Sequence, residues 1–150
     1  MFTFGIKEGK LDCNGVYLAD ALSGAYGYAD NPADESLKAL GPLPEGFYTM
    51  RPAVDSPTLG KIAIELVPDA ANQEYGRGGF WIHGYPLNPQ DHDTGSHGCI
   101  ETNPSARAFI NVRIGRGDNR LEVVASLAAV PSAADLDAVA EEQQIADETT

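Results

Sequence analysis

The stretch that decides the fold reads FWIHG at Phe80–Gly84 and continues, after a polar connection, with SHGCI at Ser96–Ile100. Together these segments contain two of the three histidines and one of the two cysteines. Apolar residues precede the first histidine and follow the cysteine, which indicates the ends of two buried strands. The connection is rich in Pro, Asn, Asp and Gly, and long polar loops in compact domains are often functional. We therefore expect two strand ends to bring imidazoles and a thiol to one point.

The sequence on either side of this stretch predicts a mainly β domain. Asn14-Gly15 is a strong hairpin dipeptide inside an apolar run, which we expect to form two strands. From Ile62, apolar residues recur at the even positions of 61–67, as in a half-buried strand. Short strands between Gly and Pro turns favour a β-sandwich, since a wound α/β sheet needs more helices. The predicted strands cover 3–6, 10–18, 47–50, 61–67, 80–83 and 120–124, and residues 20–45 are expected to be largely irregular.

Helical signals are confined to a few segments. Asn31-Pro32 opens a short capped helix, and Asn103-Pro104 opens a longer one that ends at Gly115 or Gly117. Residues 127–150 form an acidic tail with apolar residues at helical spacing, which indicates an amphipathic helix, either packed or frayed. We therefore expect a catalytic domain over 1–126 with one or two short helices, followed by this tail.

Charge and composition exclude several classes of function. The chain has 150 residues, enough for one domain with a proper core, and its formal net charge is -12. Nucleic acid and anionic membranes require basic contacts, so neither is an expected partner. The sequence has no apolar run of bilayer-spanning length and no secretory leader pattern at its start. We therefore expect no membrane insertion, and export by a route other than general secretion.

The two cysteines lie in different contexts. Cys13 falls in an apolar run, and we expect it to be a buried core residue. Cys99 lies among histidines and glycines, which favours a reactive thiol. The alternative is a single bridge between the two, which would silence the thiol.

Cys99 and its neighbours contain the parts that acyl transfer requires. The thiolate is the attacking species, so a thiol needs a nearby base. His83 can approach from a separate strand, and His97 lies two positions before the cysteine. Gly98 permits close approach of a substrate, and the N–H groups of Gly98 and Cys99 can stabilise an oxyanion by ~3 kcal/mol per donor. An isolated His or Cys is usually structural, as we expect for His92, but the clustering here favours catalysis without a cofactor.

A metal site is the main chemical alternative. Zinc takes nitrogen, sulfur and carboxylate ligands, and the segment contains several of them. Against this, the sequence has no helical His-x-x-x-His and no paired Cys-x-x-Cys, so we assign no metal. The possible ligands would be His83, Asp91, His92, Asp93, His97 and Cys99.

At these residues the sequence resembles the L,D-transpeptidase catalytic domain of the YkuD type. The motif of that family is His-Gly, a spacer, then Ser or Thr before His-Gly-Cys and an apolar residue, and His83-Gly84 and Ser96–Ile100 match it. Upstream, Gly41–Thr49 resembles a Gly-Pro-Leu-Pro-x-Gly-x-Tyr segment of a narrower group. These are the L,D-transpeptidase effectors of type VI secretion, toxins that act on the peptidoglycan of rival bacteria.

The resemblance implies a role for each matching residue. Cys99 is the nucleophile, and His83 is the base that takes its proton. The Gly84 carbonyl orients the His83 ring, His97 supports the site, and the backbone of Gly98 and Cys99 serves the oxyanion.

Two positions depart from the broader family pattern. Glu101 stands where Asn is usual, and the usual Arg shortly after the cysteine is missing from its place. The substrate carboxylate is therefore assigned to Arg77 or Arg107. The remaining expected substrate-binding residues are Ser96, Tyr85 and Trp81.

The resemblance also implies a substrate and a destination. The expected reaction is attack on the L-centre carbonyl of diaminopimelate in a peptidoglycan tetrapeptide stem, with release of the terminal D-Ala. Water then gives carboxypeptidase activity, a D-amino acid gives exchange, and a neighbouring stem amine gives a cross-link. We expect an antibacterial effector that acts in the periplasm of a target bacterium, with a cognate immunity protein and a secretion carrier as further partners.

Three other readings predict different behaviour. A housekeeping or phage-associated wall enzyme would be expected to carry a signal peptide or a wall-binding module. A non-catalytic peptide-binding or phage-structural domain would keep its function without Cys99. A zinc-dependent peptidoglycan peptidase would be inhibited by chelators.

Overall fold

The computed structural model describes residues 1–24, 30–37, 41–85 and 99–127. The mainly β class predicted from the sequence is confirmed. Among the described residues, the helices are α1, Pro104–Ile114, and a 3₁₀ turn at Pro32–Asp34. The strands are β1 (Phe2–Gly5), β2 (Lys10–Cys13), β3 (Val16–Ser23), β4 (Gly46–Met50), β5 (Val54–Ser56), β6 (Gly60–Pro68), β7 (Trp81–His83), β8 (Ile100–Thr102) and β9 (Arg120–Val124).

The strands form one closed, barrel-like sheet in the order β4-β9-β1-β2-β3-β8-β7-β6, with β6 returning to β4 and β5 added along β6. The two long strands make this closure possible. The first part of β3 pairs with β2 and its last part, Ala21–Ser23, pairs with β8. In β6, Ile64 and Glu65 pair with β7, whereas Leu66–Pro68 pair with β4. The two groups of strands that the predicted sandwich requires are therefore joined into one sheet, because β3 and β6 each pair with strands of both groups.

The predicted hairpin is present, but strand length departs from the sequence prediction at two places. The hairpin at Asn14-Gly15 is confirmed: both residues have positive φ, 52° and 81°, as a type I′ turn requires. However, β3 continues to Ser23, into a segment expected to be irregular. The reason is that its last residues, Ala21–Ser23, pair with β8, which lies far along the chain at Ile100–Thr102. β5 has no periodic signal of its own and forms only because it pairs with β6.

The core lies inside the barrel and is closed on one side by α1. Phe2, Phe4, Leu11 and Leu121 are fully buried, and Ile110 of α1 joins the same cluster. Phe2 also contacts Phe109 of α1 edge-to-face, with ring centroids 6.3 Å apart. Cys13, only 2% exposed, lies in this cluster, and both cysteines are in the thiol form. The expectation that Cys13 is a core residue is therefore confirmed.

β7 and β8 bring the two halves of the motif together. They pair in parallel, with Ile82 opposite Ile100 and His83 opposite Glu101. Ile82 and Ile100 are both fully buried, so these two side chains hold the register from inside the core. His83 ends β7, and Cys99 immediately precedes β8.

α1 begins as the sequence predicts. The Asn103 side chain accepts a 2.7 Å hydrogen bond from the Ala106 N–H, and Pro104 occupies the first helical position. The helix ends at Gly115, one of the two predicted ends. None of the helices within the described ranges has the length and apolar character needed to cross a membrane. The predicted helix of the tail lies outside the described residues, which end at Leu127.

Replacing Asn103 with Ala is expected to destabilise the protein by about 0.5–2 kcal/mol, because the first turn of α1 loses the side-chain oxygen that accepts from the Ala106 N–H. Chemical denaturation of both proteins measures this difference. Ser105→Ala, an exposed change in the same first turn, is the matched control and should change the free energy of unfolding little. Equal effects of the two substitutions would contradict the capping role of Asn103.

Candidate active site

His83 presents one ring nitrogen to the site because the backbone holds the other. Its Nδ1 lies 2.9 Å from the carbonyl oxygen of Gly84. A carbonyl can only accept, so this contact places the proton of the neutral ring on Nδ1 and leaves Nε2 as the base. Burial lowers the pKa of His83, the Gly84 contact opposes this, and the positive charge of Arg107 lowers the pKa further. The ring is therefore neutral at pH 7, and its Nε2 is able to accept a proton.

Cys99 is held in the thiol form at rest. Its Sγ donates to the carbonyl oxygen of Gly79 at 3.6 Å. Burial raises the pKa of Cys99 to about 11. A hydrogen bond from the Trp81 backbone lowers this pKa, the charge of Glu101 raises it, and the charge of Arg77 lowers it. The thiol therefore needs a base at the moment of attack.

Strand geometry places the base and the thiol on one face of the sheet. Side chains alternate along a strand, so Trp81 and His83 lie on the face opposite to the buried Ile82. Continuing the β7–β8 register by one residue sets Cys99 beside Trp81, which agrees with the Trp81 backbone contact. His83 and Cys99 are then diagonal neighbours on that face. The arrangement brings together the two residues that the sequence assigned as base and nucleophile.

Arg107 packs against Gly84, the residue that follows His83. This α1 residue is 7% exposed, and its guanidinium donates to the backbone carbonyls of Thr102 at 3.2 Å, Lys61 at 2.5 Å and Ile62 at 3.3 Å. It thereby connects the start of α1 with β8 and β6. Gly84 packs against it, because a Cβ there would lie 2.8 Å from Nη2 of Arg107.

Gly84→Ala is expected to lower kcat by roughly tenfold to a hundredfold, since displacing the anchored guanidinium or the Gly84 carbonyl moves the base. The measurement is steady-state turnover with a confirmed substrate. Gly78→Ala is the matched control, because a Cβ there meets nothing within 4 Å. Unchanged turnover in Gly84→Ala would show that the base tolerates displacement of its orienting carbonyl.

Arg77 makes contacts of a different kind from those expected of a substrate-binding residue. It is 6% exposed, and its guanidinium donates to the carbonyls of Pro42 at 2.6 Å, Gly41 at 2.9 Å and Glu35. It also lies over the Phe80 ring, 5.8 Å from the centroid. These contacts attach the Gly-Pro-Leu-Pro segment to the loop that precedes β7.

Trp81 and Tyr85 flank the base on the chain. Trp81 is half-buried on the face that carries His83, and Tyr85, 37% exposed, follows the end of β7. Burial raises the pKa of Tyr85, and the charges of Glu101, Asp20 and Asp30 raise it further. The Tyr85 phenol is therefore neutral at pH 7.

Comparison with known families bears directly on this site. A family model, the Tlde1 domain, matches residues 18–126, which is more than half of the chain and includes both β7 and β8. The chain belongs to the Tlde1 domain family. This is a family of type VI secretion effectors. No curated protein and no solved structure matches the chain.

Several residues of this Tlde1 domain that the sequence suggested for the active site or for a metal site lie outside the described residues. They are Ser96, His97 and Gly98, together with His92 and the two aspartates beside it. Across the described ranges, no group of three or more His, Cys, Asp or Glu side chains is arranged to hold a metal.

Sequence reasoning missed one residue of the site, and it noted a second only as a departure from the family pattern, without its burial. The first is Gly79, whose carbonyl accepts from the Cys99 thiol and whose φ of 70° suits glycine. The Gly78-Gly79 pair before a strand is the signal that could have indicated a close backbone approach. The second is Glu101, which is 1% exposed and acts on the pKa of Cys99. Its position two residues after the cysteine in an extended segment already implies a shared face.

Proposed function

We propose that this Tlde1 domain catalyses cysteine-dependent acyl transfer on peptidoglycan stem peptides, as an L,D-carboxypeptidase, an L,D-transpeptidase or both. The observation that carries the proposal is the pairing of β7 with β8. That pairing sets an imidazole with a fixed tautomer on the same sheet face as a thiol from a separate segment. Membership of a secreted effector family supports a role as an antibacterial toxin.

The raised thiol pKa and the lowered imidazole pKa favour attack with simultaneous proton transfer over a resting ion pair. Nε2 of His83 takes the thiol proton as Sγ of Cys99 forms a bond to the L-centre carbonyl carbon of the stem. The N–H groups of Gly98 and Cys99 stabilise the resulting oxyanion. The amide C–N bond then breaks, the imidazolium returns its proton to the leaving amine, and D-Ala departs from a thioester.

The thioester is resolved by the reverse sequence. His83 removes a proton from the acceptor, which is water, a D-amino acid or the amine of a neighbouring stem. The new bond to the carbonyl carbon forms, the C–S bond breaks, and Cys99 regains its proton. Hydrolysis and exchange both consume the donor stems that the wall of a target cell needs for cross-linking.

Substrate contacts in this proposal fall mainly on the exposed side of the site. Trp81 and Tyr85 offer aromatic surface beside the base, and the motif resemblance adds Ser96 and His97, which lie outside the described residues. Arg77 and Arg107 direct their guanidinium groups at backbone carbonyls, so we assign them the support of the site rather than direct contact with a carboxylate. A cognate immunity protein and a secretion carrier are the proposed protein partners, and the periplasm of a target bacterium is the proposed place of action.

The test is incubation of purified disaccharide-tetrapeptide with the protein, followed by mass spectrometry. Loss of one alanine, or replacement of that alanine when D-methionine is added, is the expected result. Dimeric muropeptides would reveal cross-linking. A parallel incubation with EDTA separates this chemistry from a zinc peptidase, because only the latter loses activity. Unchanged tetrapeptides under all these conditions would overturn the proposal.

A further inference from the structure

Arg77 is a buried cation that is held largely by backbone dipoles. Its guanidinium donates to three carbonyls, those of Glu35, Gly41 and Pro42, and its side chain forms no ion pair with a carboxylate of the described residues. Burying a charge is unfavourable unless hydrogen bonds or an opposite charge compensate it. The retention of this charge at a site 6% exposed therefore calls for a function.

The loop that carries Arg77 also carries the acceptor of the Cys99 thiol. Gly79, two residues further on, provides that carbonyl. The ring of Phe80 lies under the guanidinium, and the Phe80 carbonyl accepts a 2.9 Å hydrogen bond from the Leu66 N–H. The backbone N–H of Arg77 bonds to the Glu74 carbonyl at 2.9 Å, which closes a turn. Moving the guanidinium would therefore move the surroundings of the sulfur.

We propose that Arg77 is a positioning residue that locks the Gly41–Pro44 segment onto the thiol-bearing site and supplies the positive charge that favours the Cys99 thiolate. The inference rests on the proposed role of Cys99 as nucleophile. In this proposal, the carbonyls of Gly41 and Pro42 bind and orient a cation beside the nucleophile.

The electrostatics around the sulfur support this role. Among the described residues, the charged or titratable groups near Cys99 are Arg77 from the β6–β7 loop, Glu101 from β8 and His83 from β7. Glu101 raises the pKa of the thiol and Arg77 lowers it, and Cys99 in turn raises the pKa of Arg77. The two buried charges act in opposite directions, so removing Arg77 leaves the disfavouring one alone.

The experiment measures alkylation of Cys99 by iodoacetamide as a function of pH in wild type, Arg77→Gln and Arg77→Lys, with the Cys99 peptide quantified by mass spectrometry. In Arg77→Gln the thiol should titrate about one unit higher, so that alkylation at pH 8 falls about tenfold. Arg77→Lys should keep the wild-type titration but lose at least tenfold in kcat/KM, because one ammonium cannot orient three carbonyls. Arg51→Gln, which removes an exposed arginine, should match wild type in both measurements.

A folded Arg77→Gln with wild-type alkylation at every pH would overturn the inference. If Arg77→Gln does not fold, Arg77→Lys decides, and a wild-type kcat/KM in that variant would overturn it. Because alkylation needs no substrate, a shifted titration in a protein that leaves muropeptides unchanged would sink the proposed function while supporting the role of Arg77.

Discussion

Replacing Cys99 with Ala is expected to lower the turnover of tetrapeptide stems by at least about 10⁴-fold, to the detection limit. In the proposed mechanism the sulfur forms the covalent intermediate, and loss of a nucleophile removes most of the rate enhancement that a catalytic unit provides. Mass spectrometry of muropeptides gives the rate, and intact-protein mass spectrometry adds a second readout. Wild type should accumulate an acyl-enzyme when it is quenched early, and the Ala variant should not.

Cys13→Ala is the control for loss of a thiol. Cys13 is buried in the core, so its replacement should lower stability while turnover per folded molecule stays near wild type. Full activity of Cys99→Ala would contradict the nucleophile assignment. It would favour a domain that binds peptides without transforming them or, where EDTA also inhibits, a metal-dependent peptidase.

Replacing His83 with Ala is expected to lower kcat/KM by about 10²–10⁴-fold, the usual contribution of a general base. The pH profile should change as well. In wild type the rate should rise through the pKa of His83, which burial places below its ordinary value, and then reach a plateau at neutral pH. In the variant this limb should disappear, and the rate should instead rise towards the alkaline pKa of Cys99.

His92→Ala is the matched control for loss of an imidazole, since the sequence places His92 between two aspartates in a polar run. Its pH profile should equal that of wild type. The lowered pKa of His83 also carries a sign for stability. The unfolded chain binds that proton more tightly, so His83 makes the folded state less stable as pH falls from the ordinary imidazole pKa of 6.5 towards the lowered pKa of the folded state. A variant lacking His83 with an unchanged acidic limb would contradict its role as the base.

Local signals in the sequence predicted much of the fold. The Asn14-Gly15 turn, the Asn103-Pro104 cap and the existence of a strand over 61–67 depend on neighbours along the chain, and the structure confirms them. The candidate site was equally local in its main parts. His83 and the Gly84 carbonyl are adjacent in sequence, and the family resemblance implied the contact that the structure shows between them.

The remaining features depend on distant residues, which a pattern does not reveal. The extension of β3 needs β8, and β5 needs β6. Ile62 has a φ of 55°, so the alternation that predicted its strand shifts there, and Ala63 and Ile64 are both fully buried. The contacts of Arg77 and Arg107 with backbone carbonyls also depend on distant residues, and the assignment of these arginines to a substrate carboxylate stays a prediction.

The parallel pairing of β7 and β8 has a consequence for how much the length of the segment between them can vary among Tlde1 domains. The relative position of imidazole and sulfur is fixed by Ile82 against Ile100, inside the protein, and not by the number of residues that join the two segments. A change in the number of joining residues therefore need not alter the position of the proposed base relative to the proposed nucleophile.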